Sequence, residues 1–146
     1  MIERVGDMFA EYLDPGVVYV ITTNGYVRND GAAVMGRGTA LAAAQLHGDL
    51  PHILGELLLT YGNRPFVLPY GFVTLPVKHK WDEKADLELI GRSLYWLVEL
   101  LDMYSGNRLI YLPRPGCGNG QLAWDAVRPL VAAHFENDAD VTVWSL

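Results

Sequence analysis

The sequence predicts an α/β fold built on a mainly parallel sheet covered by helices on both faces. Three observations carry that expectation. Apolar runs of strand length alternate with longer helix-like segments along the chain. The run Val17-Val18-Tyr19-Val20-Ile21-Thr22 shows no polar alternation, the pattern of a strand buried on both faces. Two glycine-rich turns, Gly36-Arg37-Gly38-Thr39 and Gly116-Cys117-Gly118-Asn119-Gly120, each follow a strand-like segment and lead toward a helix-like one. In parallel sheets ligands bind beyond the carboxyl ends of the strands, where both turns are expected.

The elements follow in order. After the strand at 17–22, residues 24–38 are polar and glycine-rich and read as a loop. Residues 39–47 are rich in Ala and Leu and predict a helix, with a second at about 50–61. Phe66-Val67-Leu68 and Phe72-Val73-Thr74-Leu75 flank Pro69-Tyr70-Gly71 and read as a hairpin. Leu87, Ile90, Leu94, Leu97 and Leu101 recur at helical spacing and give the longest helix an apolar stripe against the sheet. Residues 108–112 form another strand, ended by Pro113 and Pro115; a helix at 124–135 and a last strand at 141–144 follow.

With 146 residues, 51% of them apolar and 19% charged, the chain fits one globular domain spanning 1–146. A net charge of −6 argues against a broad electrostatic grip on duplex DNA, yet allows a nucleotide held by backbone amides. Cys117 is the only cysteine, which excludes an internal disulfide and a cysteine cage. His47, His52, His79 and His134 lack ligand spacing, so no metal is expected. No cofactor is expected. No segment approaches ~18 consecutive apolar residues, and no basic region precedes an apolar run at the start. The expectation is a cytoplasmic protein with no membrane partner.

Glycine lets backbone approach a ligand, and a helix N-terminus offers unpaired N–H groups to an anion. Two such turns on one domain suggest a ligand with two phosphates, gripped from both sides. The chain has no Walker pattern, and Leu41 stands where a dinucleotide fingerprint requires its third glycine. Cys117 has two readings: a thiol activated at a helix N-terminus, or a small apolar side chain packed beneath the loop. None of the four histidines has a spacing that identifies it as the base such a nucleophile needs.

The flanks of these turns carry a resemblance. Gly6-Asp7-Met8, Ile21-Thr22-Thr23-Asn24, Val34-Met35-Gly36-Arg37-Gly38-Thr39-Ala40-Leu41 and the stretch from Leu112 through Pro113-Arg114-Pro115 and the second turn to Gln121-Leu122-Ala123-Trp124 resemble the macrodomain pattern. The similar branch holds the DarG-type antitoxins and the terminal ADP-ribose glycohydrolases. The resemblance implies a three-layer α/β/α sandwich with a mixed, mainly parallel sheet and a cleft for ADP-ribose. It implies that Asp7 accepts a hydrogen bond from the adenine amino group and that Asn24 faces the distal ribose. It also implies that Met35, Gly36, Arg37, Gly38 and Thr39, together with Gly116, Cys117, Gly118, Asn119 and Gly120, wrap the diphosphate. Trp144 matches a C-terminal aromatic that stacks near adenine. Taken alone, Asp7 reads equally as a cap, Asn24-Gly25 as a turn and Trp144 as core.

Leu75-Pro76-Val77-Lys78-His79-Lys80-Trp81 resembles the Phe-Pro-Thr-Lys-x-x-Trp segment of the DarG type, which makes Lys78 the catalytic candidate. A lysine beside the anomeric carbon can attack it when neutral or assist the leaving group, and both roles call for a depressed pKa. Alternation along an extended chain makes Lys80 the expected cationic neighbour. Gly120 occupies the position where the glutamate-acting glycohydrolases place an aspartate, so the sequence leans toward the DarG side.

The implied activity is hydrolysis of the glycosidic bond from ADP-ribose to a target, with a thymidine base in single-stranded DNA as the modified partner. Arg37, Lys78, Lys80 and Arg114 are candidates for a local basic groove. Two alternatives share the pocket: a non-catalytic module that binds or sequesters ADP-ribose, and a phosphatase acting on ADP-ribose 1″-phosphate.

Overall fold

The computed structural model describes residues 1–12 and 14–146. Five strands form one sheet in the order β1-β5-β4-β2-β3: β1 (Ile2–Val5), β2 (Val17–Asn24), β3 (Phe72–Lys78), β4 (Leu109–Pro113) and β5 (Val141–Ser145). Every neighbouring pair is parallel. Antiparallel pairing is confined to the isolated bridges Val27–Ala33 and Val67–Val73.

The period-two geometry of a strand sorts the buried residues into two layers. Val18 and Val20 of β2 face helices α3 (Leu87–Tyr104) and α4 (Trp124–Phe135), meeting Ile90, Leu94, Leu97, Val127 and Val131. Val17, Tyr19 and Ile21 face the opposite way, onto α1 (Gly38–Leu46) and α2 (Leu50–Tyr61), where Ala40, Ala43, Leu50, Leu54 and Leu58 pack. Both faces are therefore apolar, and the result is the expected α/β/α sandwich.

Three local expectations change. β1 is a strand that the sequence pattern did not reveal; its four residues are all exposed at the sheet edge. The hairpin contracts to one bridge: residues 66–68 lie beside β3, joined to it through Leu68 N–H to Phe72 O and Thr74 N–H to Phe66 O, but form no regular strand. The turn there places Tyr70 at φ 69°, a left-handed conformation that interrupts regular pairing. Leu87 is 40% exposed, because it opens α3 ahead of the stripe that Leu89, Ile90, Leu94, Leu97 and Leu101 bury. Asp86 caps that helix, accepting from the N–H groups of Glu88 and Leu89.

Candidate functional site

The carboxyl ends of the strands define a cleft of about 920 Å³. Strand order sets its layout. Asp7 follows β1 and Trp144 lies on β5, at one end; the second glycine turn follows β4; Asn24 ends β2 and Lys78 ends β3, at the other. The first glycine turn lies between β2 and α1 and opens that helix with Gly38 at φ +59°. Of the residues singled out in the sequence, Asp7, Asn24, Gly36, Arg37, Gly38, Thr39, Lys78, Gly116, Cys117, Gly118, Asn119, Gly120 and Trp144 all line this cleft. Met35 does not. Its side chain is buried in the α1/α2 layer, since an apolar residue flanking a glycine turn gains more from the core than from solvent.

The second turn leaves several backbone N–H groups unpaired among the described residues. Gly116 takes φ +73°, and Leu122 N–H returns to its carbonyl at 2.9 Å. Among the described residues the N–H groups of Gly118, Asn119 and Gly120 have no acceptor, the arrangement of a backbone nest. A Cβ at Gly120 would meet Gly116 O at 2.4 Å and Ala85 Cβ at 2.7 Å. That backbone leaves no room for a side chain at this position. The turn differs from expectation in one respect: α4 begins only at Trp124, so these unpaired N–H groups belong to the turn and not to the helix end.

The two turns meet across the cleft. Arg37 Nη1 donates to Asn119 Oδ1 at 3.4 Å. Thr39 Oγ1 accepts from Thr22 N–H at 3.1 Å, which fastens the start of α1 to β2. The Asn24 carboxamide is engaged with its own loop, donating to Val34 O and accepting from Tyr26 N–H, both at 3.0 Å. Asp7 accepts from Phe9 N–H through Oδ1 at 2.9 Å, a turn contact. Trp144 stands edge-on to Tyr111 with centroids 5.3 Å apart, and its buried indole N–H has no partner among the described residues.

Lys78 Nζ lies 3.4 Å from both Trp81 O and Asn119 O. Burial lowers the pKa of its amine below the ordinary 10.5, Arg37 lowers it further, and Asp82 opposes the shift. The influential cation is therefore Arg37 on the facing turn. Lys80 lies outside the cleft lining, because the chain leaves the strand at Lys78 and alternation ends there. Lys78 O accepts from Gly25 N–H at 3.2 Å and from Asn63 Nδ2 at 3.0 Å, which pins the strand end. Burial pushes the Cys117 thiol up, and its Sγ donates to Pro115 O at 3.4 Å, so the apolar packing role fits.

Tyr26, Arg28 and Trp81 also line the cleft, at the Lys78 end. Sequence reasoning assigned them no role, although Trp81 stood in the quoted lysine motif and Tyr26 follows the Asn24-Gly25 turn. Four cationic side chains line the cleft, Arg28, Arg37, Lys78 and Arg114, against one acidic side chain, Asp7, in a chain of net charge −6. Among the described residues no three His, Cys, Asp or Glu side chains converge to hold a metal ion. Nor is any described helix long and apolar enough to cross a membrane.

No protein-family model matches the sequence. A Thermosipho africanus protein described as a DNA ADP-ribosyl transferase–DNA ADP-ribosyl glycohydrolase fusion is 31% identical over 64 residues, 44% of this chain and 16% of that protein. Among solved structures, the macrodomain of Thermus aquaticus DarG superposes with a TM-score of 0.75 at 26% identity, covering 99% of this chain and 96% of that one. Thermosipho africanus DarTG in complex with ADP-ribose superposes at 0.72 with 21% identity, covering 95% of this chain and 39% of that one.

Proposed function

We propose, from the premise that this chain has the macrodomain fold and resembles the macrodomains of DarG proteins, that it binds ADP-ribose and hydrolyses the bond joining it to a nucleobase. The observation that carries this reading is the placement of Lys78. A partly desolvated amine of lowered pKa stands beside the phosphate-binding turn, at the far end of the cleft from Asp7 and Trp144.

ADP-ribose fits that layout in one direction. Adenine lies at the Asp7 and Trp144 end, where the free carboxylate oxygen and the indole face are available. The diphosphate spans the two turns, taking N–H groups from Gly118, Asn119 and Gly120 and charge from Arg37. The distal ribose then reaches Lys78. As the glycosidic bond breaks, its electron pair leaves with the base, and the anomeric carbon develops cationic character. Neutral Lys78 attacks that carbon, the ammonium so formed passes a proton to the departing base, and water later adds its hydroxyl to the carbon and returns its other proton to the freed amine. The fixed diphosphate holds the carbon against the amine, which is catalysis by positioning. Gly120 removes the carboxylate that glutamate-linked substrates call for, which favours a base as leaving group.

One observation favours a second reading, a module that binds or sequesters ADP-ribose without turnover. The Lys78 ammonium already has two carbonyl acceptors, which suits a structural cation. Incubation with two substrates, ADP-ribosylated thymidine in single-stranded DNA and ADP-ribosylated glutamate in a peptide, tests the proposal. Release from DNA alone supports it; release from the peptide alone contradicts the base assignment. Binding of free ADP-ribose with release from neither moves the reading to the module.

A further inference from the structure

β3 is an edge strand whose last residue, Lys78, lines the cleft, so in the proposed binding mode whatever is joined to the distal ribose emerges at this end. The segment following α2 runs along this edge, tied to β3 by Asn63 Nδ2 to Lys78 O and by Thr74 N–H to Phe66 O. Next to Asn63, the Arg64 guanidinium lies over three rings: Tyr61 at 5.2 Å, Trp96 at 5.4 Å and Phe66 at 6.0 Å. Tyr61 is 56% exposed and Trp96 48%, as is Trp81 at the cleft mouth. Arg92, one turn before Trp96 on α3, is exposed. Among the described residues the ion pairs are His79–Asp86 and Arg128–Glu3, so neither Arg64 nor Arg92 has a carboxylate partner.

We infer that the outer edge of β3 is a track for single-stranded nucleic acid, continuous with the cleft. Trp81, Trp96 and Tyr61 are its stacking platforms, and Arg64 and Arg92 are its phosphate contacts. The inference rests on the proposed nucleobase target, because a base held at Lys78 sends its flanking nucleotides over this edge. Half-exposed rings beside guanidinium groups that have no carboxylate partner are the chemistry that single strands recognise, whatever their sequence. Arg64 stacked among rings adds the planar cation that both bases and phosphates accept.

Fluorescence anisotropy with a labelled single-stranded oligothymidylate tests the track, with free ADP-ribose calorimetry run in parallel. The wild type should bind the oligonucleotide with an affinity that falls with salt, by a log–log slope of about −0.7 per phosphate contacted. Trp96→Ala should weaken binding about tenfold, and Arg64→Ala should weaken it and flatten the salt slope. Met103→Ala, farther along α3 and exposed, should leave it unchanged. ADP-ribose affinity should be the same in all four proteins, which also reports on folding. Absence of oligonucleotide binding while ADP-ribose binds overturns the track alone, as does equal binding by all variants. Self-association lost in Trp96→Ala, without oligonucleotide binding, makes the edge a protein contact and likewise overturns it. Failure of ADP-ribose to bind, with the track variants still losing oligonucleotide, sinks the proposed function and leaves the track standing.

Discussion

Lys78 Nζ lies 3.4 Å from the backbone carbonyl of Asn119. The candidate catalytic amine is thus anchored on the same cleft-lining turn that holds the unpaired N–H groups. Asn119 also takes Arg37 through its side chain, so the two turns and the lysine form one connected unit. Ligand phosphates entering that unit meet the amine, the guanidinium and the nest together.

Arg37 should tune Lys78. Its charge is the second contribution, after burial, to the lowered amine pKa. Arg37→Ala removes the repulsion, so the pKa rises toward its ordinary value and less neutral amine exists at a given pH. The alkaline-rising limb of the kcat–pH profile should move to higher pH. A mutant that loses only ADP-ribose affinity, with an unmoved profile, would show that Arg37 serves phosphate binding alone.

Cys117 should be dispensable for chemistry. Burial raises its thiol pKa, the side chain packs against the core, and its Sγ donates to the loop carbonyl of Pro115. Cys117→Ser should keep release within about twofold, as a near-isosteric change at a site without transition-state contact does. Alkylation by iodoacetamide should accelerate only above the pH of an ordinary thiol. Rapid alkylation at neutral pH would contradict the packing role.

Gly120 should tolerate no side chain. A Cβ there falls inside contact distance of Gly116 O and Ala85 Cβ. Gly120→Ala should destabilise the protein by roughly 1–3 kcal/mol, the scale of overpacking, and weaken ADP-ribose by displacing the nest. Urea denaturation and calorimetry measure the two effects. Wild-type stability in this variant would mean that the turn relaxes more freely than its contacts allow.

Asp86 links acid stability to the site. Its carboxyl is held below the ordinary 3.8 first by the hydrogen bond from His79; burial opposes this, and the helix-cap N–H groups of Leu89 and Glu88 lower it further. A depressed folded pKa contributes stability that is complete above the unfolded value and lost as pH falls through the folded one. Thermal midpoints of the wild type and Asp86→Asn should therefore differ at neutral pH and converge as pH falls below 3.8. A constant gap across that range would remove the charge from the account.

Much of this architecture was legible where local pattern and burial agree. The runs at Val17–Asn24 and Val141–Ser145 sit inside the sheet, and the apolar stretch from Val17 to Ile21 and the β-branched Val141, Thr142 and Val143 announce it. β1 was hidden because Ile2 and Val5 flank charged Glu3 and Arg4 on an exposed edge, where no burial imprints a pattern. The glycine turns and Lys78 were legible through motif resemblance. The neighbour that tunes Lys78 was not, because Arg37 reaches it across a cleft that only tertiary folding creates. For the same reason Tyr26 and Arg28 carry no signal of their own, and Trp81 none beyond its place in the lysine motif, until β2 and β3 bring their loops together.

The most direct test of the central claim compares wild type and Lys78→Ala on two readouts, ADP-ribose affinity by calorimetry and ADP-ribose release from thymidine-modified single-stranded DNA. The account predicts release by the wild type, a loss of at least about a hundredfold in Lys78→Ala, and retained ADP-ribose binding in both. Equal release by the two proteins would contradict the role given to Lys78, and absence of ADP-ribose binding by the wild type would contradict the account as a whole.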